Sequence, residues 1–502
     1  MKEACGVFGV YAPGKVVAQL TFDGMYALQH RGQESAGMAV SDGETVTVVR
    51  EMGLVTTVFS ERTLSCLPGH LAIGHTRYST TGASEWRNAQ PVFRPVGRSG
   101  FALGHNGNLT NTAALAEQAG MLPGVVASDS DLVAELLATR FPADERWDPP
   151  AGIDEEGGSG LPAVGGDEQG PLEVLDDSLE DALRAVMPLL EGAFSFVVLD
   201  AAHLVGVRDP AGLRPLCLGR LGPAEAPEGW VLASETPALD IVGATFVREL
   251  EPGEMVVVDA KGVRSEQLFP PARVDPHLCI FEFVYFARPD SRLYGREVHS
   301  ARRRMGELLA LQQPVEADLV MGVPESGVPA AEGYAVASGI PHGQGLVKNR
   351  YIGRTFITPG QDARDAGVRR KLNPLRDNIV GKRIVVVDDS IVRGTTQRAV
   401  VRMLREAGAR QVHLRISSPP LAWPCFYGID IPHRDELVAA QHTVGEIAAF
   451  LNVDSLVYLS LDNLVAAIDT PGAGFCTACL TGQYPVPVPV ELTGAVSASS
   501  PA

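Results

Sequence analysis

Short apolar runs separated by turn residues fill the chain from Cys5 to about Leu268. Runs such as "GAFSFVVLD" and "EMVVVDAKG" are rich in β-branched and aromatic residues, as β-strands are. Between the runs lie stretches with helical spacing of apolar positions, such as "SDLVAELLATR". This mixture predicts layered α and β structure over residues 5–268.

The pattern changes after "LFPPARVDPH" (268–277), where three prolines in ten residues indicate a junction between domains. Beyond it, apolar strands alternate with helical patterns. They are "ADLVMGVPESG", a helix from about Val328, "RIVVVDDS", a helix through "TTQRAVVRMLREAG", and "QVHLRISSPP". Continuously apolar strands that alternate with helices predict a parallel α/β sheet in a second domain, residues 278–484.

Two segments fit neither domain. Residues 142–171 are rich in glycine, proline and acidic residues and almost lack aromatics, which predicts a disordered, solvated insertion. The end of the chain, residues 485–502, carries "PVPVPVELTGAVSASSPA" and is expected to form a flexible tail.

Composition narrows the function. The formal net charge of −18 argues against general nucleic-acid binding, because affinity for the phosphate backbone needs surplus lysine and arginine. The chain shows neither an apolar span of membrane length nor a signal-peptide pattern, so we expect a cytoplasmic protein with no membrane partner. Seven cysteines among 502 residues do not suggest a disulfide framework.

The most specific stretch is "RIVVVDDSIVRGTTQRAVV", in which a buried strand ends in Asp388 and Asp389. A short loop then opens a helix, and small and hydroxyl residues at a helix start suit a phosphate. The adjacent acids suit a sugar diol or a divalent cation. Helix capping by aspartate is the ordinary alternative, but two acids at the end of so apolar a strand would be costly unless they were used.

This stretch resembles the phosphoribosyl-diphosphate signature of type I phosphoribosyltransferases, and "GVPESGVPAA" resembles that family's pyrophosphate loop. The resemblance implies that Ser326, Asp388 and Asp389 bind magnesium. It also implies a set of residues that bind phosphoribosyl diphosphate: Ser390, Arg393, Gly394, Thr395, Thr396 and Lys348. From Lys348 to Arg376 the chain carries eight Lys/Arg against two Asp. This run is either a solvated basic face or a mobile flap over the pyrophosphate, and its place between two phosphate loops favours the flap.

Cys5 has two interpretations. It is an incidental apolar residue of a first strand, or Met1–Ala4 are a propeptide whose removal makes it the amino terminus. In the second case the thiol would carry its own base, since an α-amine has a pKa of about 7.7–8.0.

The first half resembles the class II glutamine amidotransferases, which are N-terminal-nucleophile hydrolases with an αββα sandwich. The segments that match are "CGVFG", "ALQHRGQESAG", "GHTRYSTTG", "HNGNLTN" and "SDSD". The resemblance implies that Cys5 is the nucleophile, that Arg77 binds the glutamine α-carboxylate, and that Asp129 binds its α-ammonium group. Asn106 and Gly107 would form the oxyanion hole. Taken singly, Arg77 could be a surface charge, "NGN" a turn, and Asp129 a helix N-cap.

A class II glutaminase followed by a phosphoribosyltransferase resembles the amidophosphoribosyltransferase family, over nearly all of residues 5–484. That implies hydrolysis of glutamine through a thioester and displacement of pyrophosphate from the activated ribose by ammonia, at the opening of purine synthesis. It also implies a homotetramer inhibited by purine nucleotides. Two rivals are a glutaminase joined to another acceptor and a non-catalytic sensor of phosphoribosyl diphosphate. "VVVDDSIVRGTT" speaks against the first, and the glutaminase-like half against the second.

Four cysteines lie in the second domain, two of them as "CTAC": Cys279, Cys425, Cys476 and Cys479. Four thiolates suit tetrahedral zinc or a 4Fe-4S cluster, and the spacing does not separate these. The segments "CIFEFVYFARPDS" and "PCFYGID" with a C-terminal C-x-x-C resemble the family branch that carries a 4Fe-4S cluster, which implies a cluster here. Cys66 and Cys217 match no motif and are expected in the core.

Overall fold

The computed structural model describes residues 5–78, 85–96, 99–121, 126–141, 178–349, 370–429, 431, 433–470 and 474–489. The predicted propeptide, the 142–171 insertion and most of the predicted flap lie outside these ranges.

The first half contains an antiparallel sheet of seven strands. The strand Gly6–Tyr11 lies near its middle and pairs with Leu71–Arg77, so that Gly6 faces Thr76. Cys5 therefore enters the sheet beside the end of the strand that carries Arg77. The remaining strands of this sheet are Ser35–Ser41, Val46–Met52, Cys217–Leu221, Gly229–Ala233 and Thr245–Glu249.

A second antiparallel sheet of six strands faces the first. The strand Phe101–Leu109 lies next to one edge of this sheet and pairs with Gly192–Leu199, so that Asn106 lies opposite Ser195. The other strands are Val92–Arg94, Leu204–Arg208, Glu254–Asp259 and Gly262–Gln267. Apolar side chains of both sheets, including Val7, Ile73 and Val197, pack in one buried cluster between them.

Helices cover the outer faces of both sheets. Val17–Ala27 and Pro237–Ile241 pack against the first sheet, and Asp129–Ala138 and Ser178–Val186 against the second. The predicted αββα sandwich is confirmed. Because both faces of these strands are covered, the strands read as continuous apolar runs rather than as alternating ones. Shorter helices are Val55–Val58, Glu61–Ser65 and Thr112–Gln118, with 3-10 turns at Trp86–Asn88, Met187–Leu189 and Pro271–Arg273.

The second half is built on a parallel sheet, as predicted. Its four strands lie in the order Leu319–Gly322, Arg383–Asp388, Gln411–Ile416 and Ser455–Tyr458. The main helices are Val298–Gln312, Val328–Ser338, Thr395–Glu406, Val444–Leu451 and Leu461–Ile468. The first two cross closely, since a Cβ at Gly306 would lie 1.8 Å from the Ala330 carbonyl oxygen.

Small elements complete this half. Two-stranded pairs join Leu278–Cys279 to Phe475–Cys476, Arg292–Leu293 to Arg296–Glu297, and Leu346–Lys348 to Leu372–Pro374. The short helical segments are Glu282–Phe286, Arg376–Ile379, Arg434–Glu436, Val438–Gln441 and Ala478–Thr481. Within the described ranges, no helix is long and apolar enough to cross a membrane.

Two expectations need correction. Cys66 is exposed at the end of the helix Glu61–Ser65, whereas Cys217 is buried as predicted. The start of the expected tail is held against the body: the Tyr427 hydroxyl donates to the Val486 carbonyl at 2.5 Å, and the Thr110 hydroxyl to that of Pro487 at 3.1 Å. Val486 and Val488 pack there beside Tyr427, so a tail would begin later than residue 485.

Candidate active sites

A narrow cleft in the first domain brings together four of the residues singled out in the sequence. Cys5, Arg77, Gly107 and Asp129 line it, with Tyr78, Gln90, His105, Ser128 and Ser130. Asn106 lies beside Gly107 on the strand Phe101–Leu109 and is fully buried. Residues from four distant motifs thus converge, since Cys5 and Arg77 lie at the ends of two paired strands of the first sheet, Gly107 lies on a strand of the second, and Asp129 begins a helix that packs on the second sheet.

Cys5 is a buried free thiol at the start of the central strand. Its Sγ lies 3.5 Å from the Tyr78 carbonyl oxygen. Burial raises the pKa of Cys5, an effect that the Tyr78 contact and the charge of Arg77 oppose. The thiol therefore favours its neutral form, and a base is needed to make it a nucleophile.

Arg77 and Asp129 do not have the ordinary structural roles that the sequence also allowed, which were a surface charge and a helix N-cap. Arg77 is only 4% exposed, so it is not a surface charge. Asp129 is not the N-cap of its helix, because the Ser128 side chain fills that role by accepting from the Asp131 N–H. Although burial acts to raise it, His105 and the N–H donors of Leu109 and Ser130 hold the pKa of Asp129 below its usual value. An ionised carboxylate in a cleft is suited to binding an ammonium group.

The "HNGN" segment forms part of a strand and not a turn. Both polar atoms of the Asn106 side chain are buried and have no hydrogen-bond partner among the residues described. Buried polar groups without partners are rare, and they are costly unless a ligand satisfies them. The Asn106 amide is therefore a candidate donor to a bound substrate.

Sequence reasoning missed His105, Gln90 and Ser130, which support the cleft. The Gln90 Oε1 accepts from the His105 N–H at 2.7 Å, and its Nε2 donates to the Ser130 hydroxyl at 3.0 Å. His105 Nδ1 lies 3.1 Å from that hydroxyl and 3.5 Å from the Asp129 carboxylate. The available signals were the adjacency of His105 to "NGN" and the position of Ser130 within "SDSD", whereas Gln90 acts through contacts that the sequence does not display.

The second site lies at the carboxyl edge of the parallel sheet. The strands Leu319–Gly322 and Arg383–Asp388 are neighbours, with Gly322 opposite Val387. The two predicted loops therefore leave the sheet side by side, and the Ser326 hydroxyl donates to Asp389 Oδ1 at 2.6 Å. The Ser390 hydroxyl donates to the other oxygen of Asp389 at 2.5 Å.

Asp388 and Asp389 are both buried at this edge. Burial, and then the charge of Asp389, raise the pKa of Asp388 well above its usual value. Gln397 donates to the Asp388 carboxylate at 3.1 Å. Two adjacent buried carboxylates repel each other, so a cation would stabilise the charged pair.

The phosphate-loop residues take the predicted positions at the start of the helix Thr395–Glu406, which follows Gly394. Its first turn carries no acidic residue and no side-chain cap, so backbone N–H groups remain as candidate donors. The two predicted phosphate-binding cations are held by carboxylates instead. Arg393 pairs with Glu436, and Lys348 Nζ lies 3.2 Å from Glu325.

The four second-domain cysteines are free thiols. Cys279 lies opposite Cys476 in their parallel strand pair. Burial, and then the charges of Cys425, Cys279 and Cys476, raise the pKa of Cys479 well above its usual value. Among the described residues, no group of three or more His, Cys, Asp or Glu side chains is arranged to hold a metal ion.

Comparisons with known proteins agree with this two-site architecture. Residues 302–417 match the phosphoribosyl transferase domain family. The amidophosphoribosyltransferase of Mycobacterium tuberculosis is 53% identical over 496 residues, which cover 98% of this chain and 88% of that protein. The amidophosphoribosyltransferase of Synechocystis is 49% identical and covers 97% and 92% of the two chains.

Solved structures give the same result. Glutamine phosphoribosylpyrophosphate amidotransferase from Bacillus subtilis, complexed with ADP and GMP, superimposes with a TM-score of 0.82 at 42% identity. It covers 97% of this chain and 98% of the solved one. The chain belongs to the amidophosphoribosyltransferase family. The predicted fold and the predicted glutamine-dependent phosphoribosyl transfer, at the first step of purine synthesis, are confirmed at this level.

Proposed function

We propose that the glutamine cleft and the phosphoribosyl loops carry out the two half-reactions of this transfer, with the residue roles set out below. The observation that carries the proposal is that a thiol, a buried arginine and an ionised carboxylate line one cleft, beside the strand that holds an unpartnered buried amide. A binding module would have no use for the thiol, and a simple glutaminase would not need the two phosphate loops.

In the first half-reaction the Cys5 thiol attacks the side-chain amide carbon of glutamine. Its proton passes to the α-amine that removal of the first four residues would expose, and then to the leaving ammonia. The Asn106 amide and the Gly107 N–H donate to the oxyanion. Water hydrolyses the resulting thioester, releasing glutamate and restoring the thiol. Arg77 and Asp129 hold the α-carboxylate and the α-ammonium group.

In the second half-reaction ammonia attacks C1 of the ribose and pyrophosphate leaves. Backbone N–H groups and hydroxyls of Gly394, Thr395 and Thr396, with Ser390 and Arg393, bind the 5′-phosphate. The Ser326 loop and Lys348 bind the diphosphate. Asp388 and Asp389 hold the ribose hydroxyls and, with Ser326, fit magnesium, since two carboxylates and a hydroxyl are the oxygen donors that this ion prefers. Magnesium would neutralise charge on the departing pyrophosphate.

Cys279, Cys425, Cys476 and Cys479 fit a 4Fe-4S cluster as an all-sulfur donor set whose thiolates repel one another. A zinc ion would need four sulfurs about 2.3 Å from a single point. In a 4Fe-4S cluster each of the four cysteines would bind a different iron, and the resemblance of the surrounding segments to the cluster-bearing branch of the family favours this assignment. Its role here is structural, because none of the four cysteines lines the glutamine cleft.

We further propose that purine nucleotides inhibit the enzyme, since a family member has been solved with ADP and GMP. A cytoplasmic homotetramer is the assembly that the family resemblance suggests.

The test of the two-site function is nitrogen transfer. With amide-labelled ¹⁵N-glutamine and phosphoribosyl diphosphate, the label should appear in phosphoribosylamine, and pyrophosphate release should require both substrates. Pyrophosphate release without glutamine or ammonia would contradict the proposal. For the cluster, anaerobically purified protein should contain four irons and four acid-labile sulfides per chain, following the cluster's formula. Stoichiometric zinc without iron would rule the cluster out.

A further inference from the structure

A loop of the second domain touches the strand that carries Asn106 and Gly107. We propose that this loop, Phe426–Gly428, is a positioning element for the oxyanion hole, so that the second domain sets the geometry of glutamine hydrolysis in the first. The inference rests on the proposed role of Asn106 and Gly107.

Two contacts join the loop to the strand. The Asn108 side-chain amide donates to the Phe426 carbonyl oxygen at 2.8 Å, across 318 residues of chain. Gly428 approaches Gly107 so closely that a Cβ on Gly428 would lie 3.0 Å from the Gly107 carbonyl carbon and oxygen. The loop therefore lies directly against the backbone that has to present the Gly107 N–H.

The strand depends on this support because its own side chains do not fix the hole. The Asn106 amide has no hydrogen-bond partner among the described residues, so its placement follows from the backbone and from the packing around it. On the other side, a Cβ at Gly107 would lie 2.0 Å from the Ala193 carbonyl oxygen. Gly107 is thus enclosed between the neighbouring strand and Gly428, and a shift of the loop would shift the donors.

Buried charges hold the loop in place. Arg214 donates to the Tyr427 carbonyl oxygen through Nε at 3.1 Å and Nη2 at 2.8 Å. Its Nη1 also donates to Glu282 at 3.2 Å, and Glu282 accepts two bonds from Arg31 at 2.7 and 2.9 Å. All three side chains are fully or almost fully buried.

The same network reaches the nucleophile. Arg31 Nε donates to the Cys5 carbonyl oxygen at 3.0 Å. The thiol and the oxyanion hole are therefore both positioned by second-domain groups. Glu282 acts on the thiol through Arg31, and Phe426–Gly428 contacts the strand that forms the oxyanion hole. Catalysis at such a site is sensitive to displacements of about 1 Å.

The experiment compares Gly428→Ala with Gly262→Ala in the full-length protein. Both glycines have positive φ, 97° and 115°, but nothing lies within 4 Å of a Cβ at Gly262. The control reproduces the backbone strain without the contact to Gly107. Asn108→Ala removes the other contact and provides a second, independent variant.

For Gly428→Ala we expect kcat with glutamine to fall about tenfold or more, since losing an oxyanion donor outright costs about 10²–10³. KM for glutamine should change by less than about twofold, because Arg77 and Asp129 are not displaced. The ammonia-dependent rate, and both rates of Gly262→Ala, should stay at the wild-type level. Binding of L-glutamate γ-semialdehyde, which forms a tetrahedral adduct with a thiol, should weaken in the same proportion as kcat, whereas binding of glutamate should not.

The proposal is overturned if Gly428→Ala and Asn108→Ala keep wild-type glutamine kcat. It is equally overturned if they lose both nitrogen sources together, or if the aldehyde and glutamate weaken equally. A failure of the proposed function would be visible separately, as wild-type protein that hydrolyses no glutamine.

Discussion

The glutamine cleft and the phosphoribosyl loops place their working groups in opposite surroundings. Cys5, Arg77 and Asn106 are buried in or beside strands of the sandwich, whereas Lys348 ends a short strand, Arg393 lies on a loop, and nearly half of each of these two side chains is exposed. In the cleft the groups are fixed before substrate arrives. At the phosphoribosyl site Lys348 pairs with Glu325 and Arg393 with Glu436, and a bound phosphate would have to take the place of these carboxylates.

This difference follows from what each site must bind. A tetrahedral oxyanion is stabilised best by rigid donors in a water-excluded place, because nothing then has to reorganise during the reaction. A diphosphate is large and highly charged, and it must enter and leave, so mobile charged groups on loops suit it. Four predictions test the independence of the two sites and the effect of buried and exposed surroundings on their charged groups.

The largest effect should come from Cys5→Ala. Glutamine-dependent activity should fall by roughly 10⁴ or more, because the variant lacks the nucleophile. Synthesis from high ammonia should persist within about twofold, since the thiol takes no part in the second half-reaction. Pyrophosphate release with each nitrogen source measures both. Loss of the ammonia reaction in a folded variant would mean that the sites are not separate.

Glu235→Gln should reduce the free energy of unfolding by about 3 kcal/mol, because it removes a buried partner of Arg31. Burial acts to raise the pKa of Glu235, but His30 and Arg31 hold it below its usual value of 4.5. Its contribution is therefore fully present above pH 4.5 and is lost as the pH falls through the folded-state pKa.

Urea unfolding at pH 7 and pH 4 measures this effect, and the variant should differ less from wild type at the lower pH. Glu316→Gln is the matched control, since Glu316 is 93% exposed and its pair with Arg383 should contribute little. Equal destabilisation at both pH values would contradict the role given to the Glu235 charge.

Asp389→Asn should lower the rate with glutamine and with ammonia alike, by roughly 10²-fold, because both routes use one phosphoribosyl site. Glutamine hydrolysis itself should survive, which a glutamate-release assay would detect. If only the glutamine route were lost, the acids would belong to interdomain coupling and not to the transfer step.

The smallest effect should come from Glu436→Gln. This substitution removes the carboxylate that pairs with Arg393. KM for phosphoribosyl diphosphate should then fall by about two- to fivefold, which corresponds to the free energy of one surface ion pair. Asp435→Asn is the control, since Asp435 lines one surface pocket together with Arg393 and Glu436, whereas the ion pair described for Arg393 is with Glu436. An unchanged or higher KM would show that Arg393 does not meet the phosphate.

The sequence predicted those parts of the molecule that local patterns encode. The αββα sandwich and the parallel sheet follow from apolar runs and their alternation with helices, and Asp388 and Asp389 end their strand where expected. The cleft residues were found because short motifs mark them. Gln90 and Ser130 were not, because their roles depend on hydrogen bonds made across the fold.

The loop Phe426–Gly428 is the clearest example of a feature that could not be predicted from the sequence. Its contact with Asn108 joins positions 318 residues apart, and no local pattern encodes such a pairing. The prediction that Cys66 lies in the core was wrong for a different reason. Cysteine is usually buried, and the sequence gives no sign that this one lies at the end of a surface helix. Val486 and Pro487 look like linker residues until their partners, Tyr427 and Thr110, are known.

The contact between Asn108 and Phe426 also affects the order in which a new chain gains its activities. The first domain leaves the ribosome well before residue 426, and at about 5–20 residues per second the gap of 318 residues lasts roughly 15 to 60 seconds. During that interval a nascent chain has its thiol but lacks Phe426–Gly428, and for the first part of it the chain lacks Glu282 as well. On the proposed coupling, half-made chains hydrolyse glutamine poorly, and the cell does not lose nitrogen to an enzyme whose acceptor site does not yet exist.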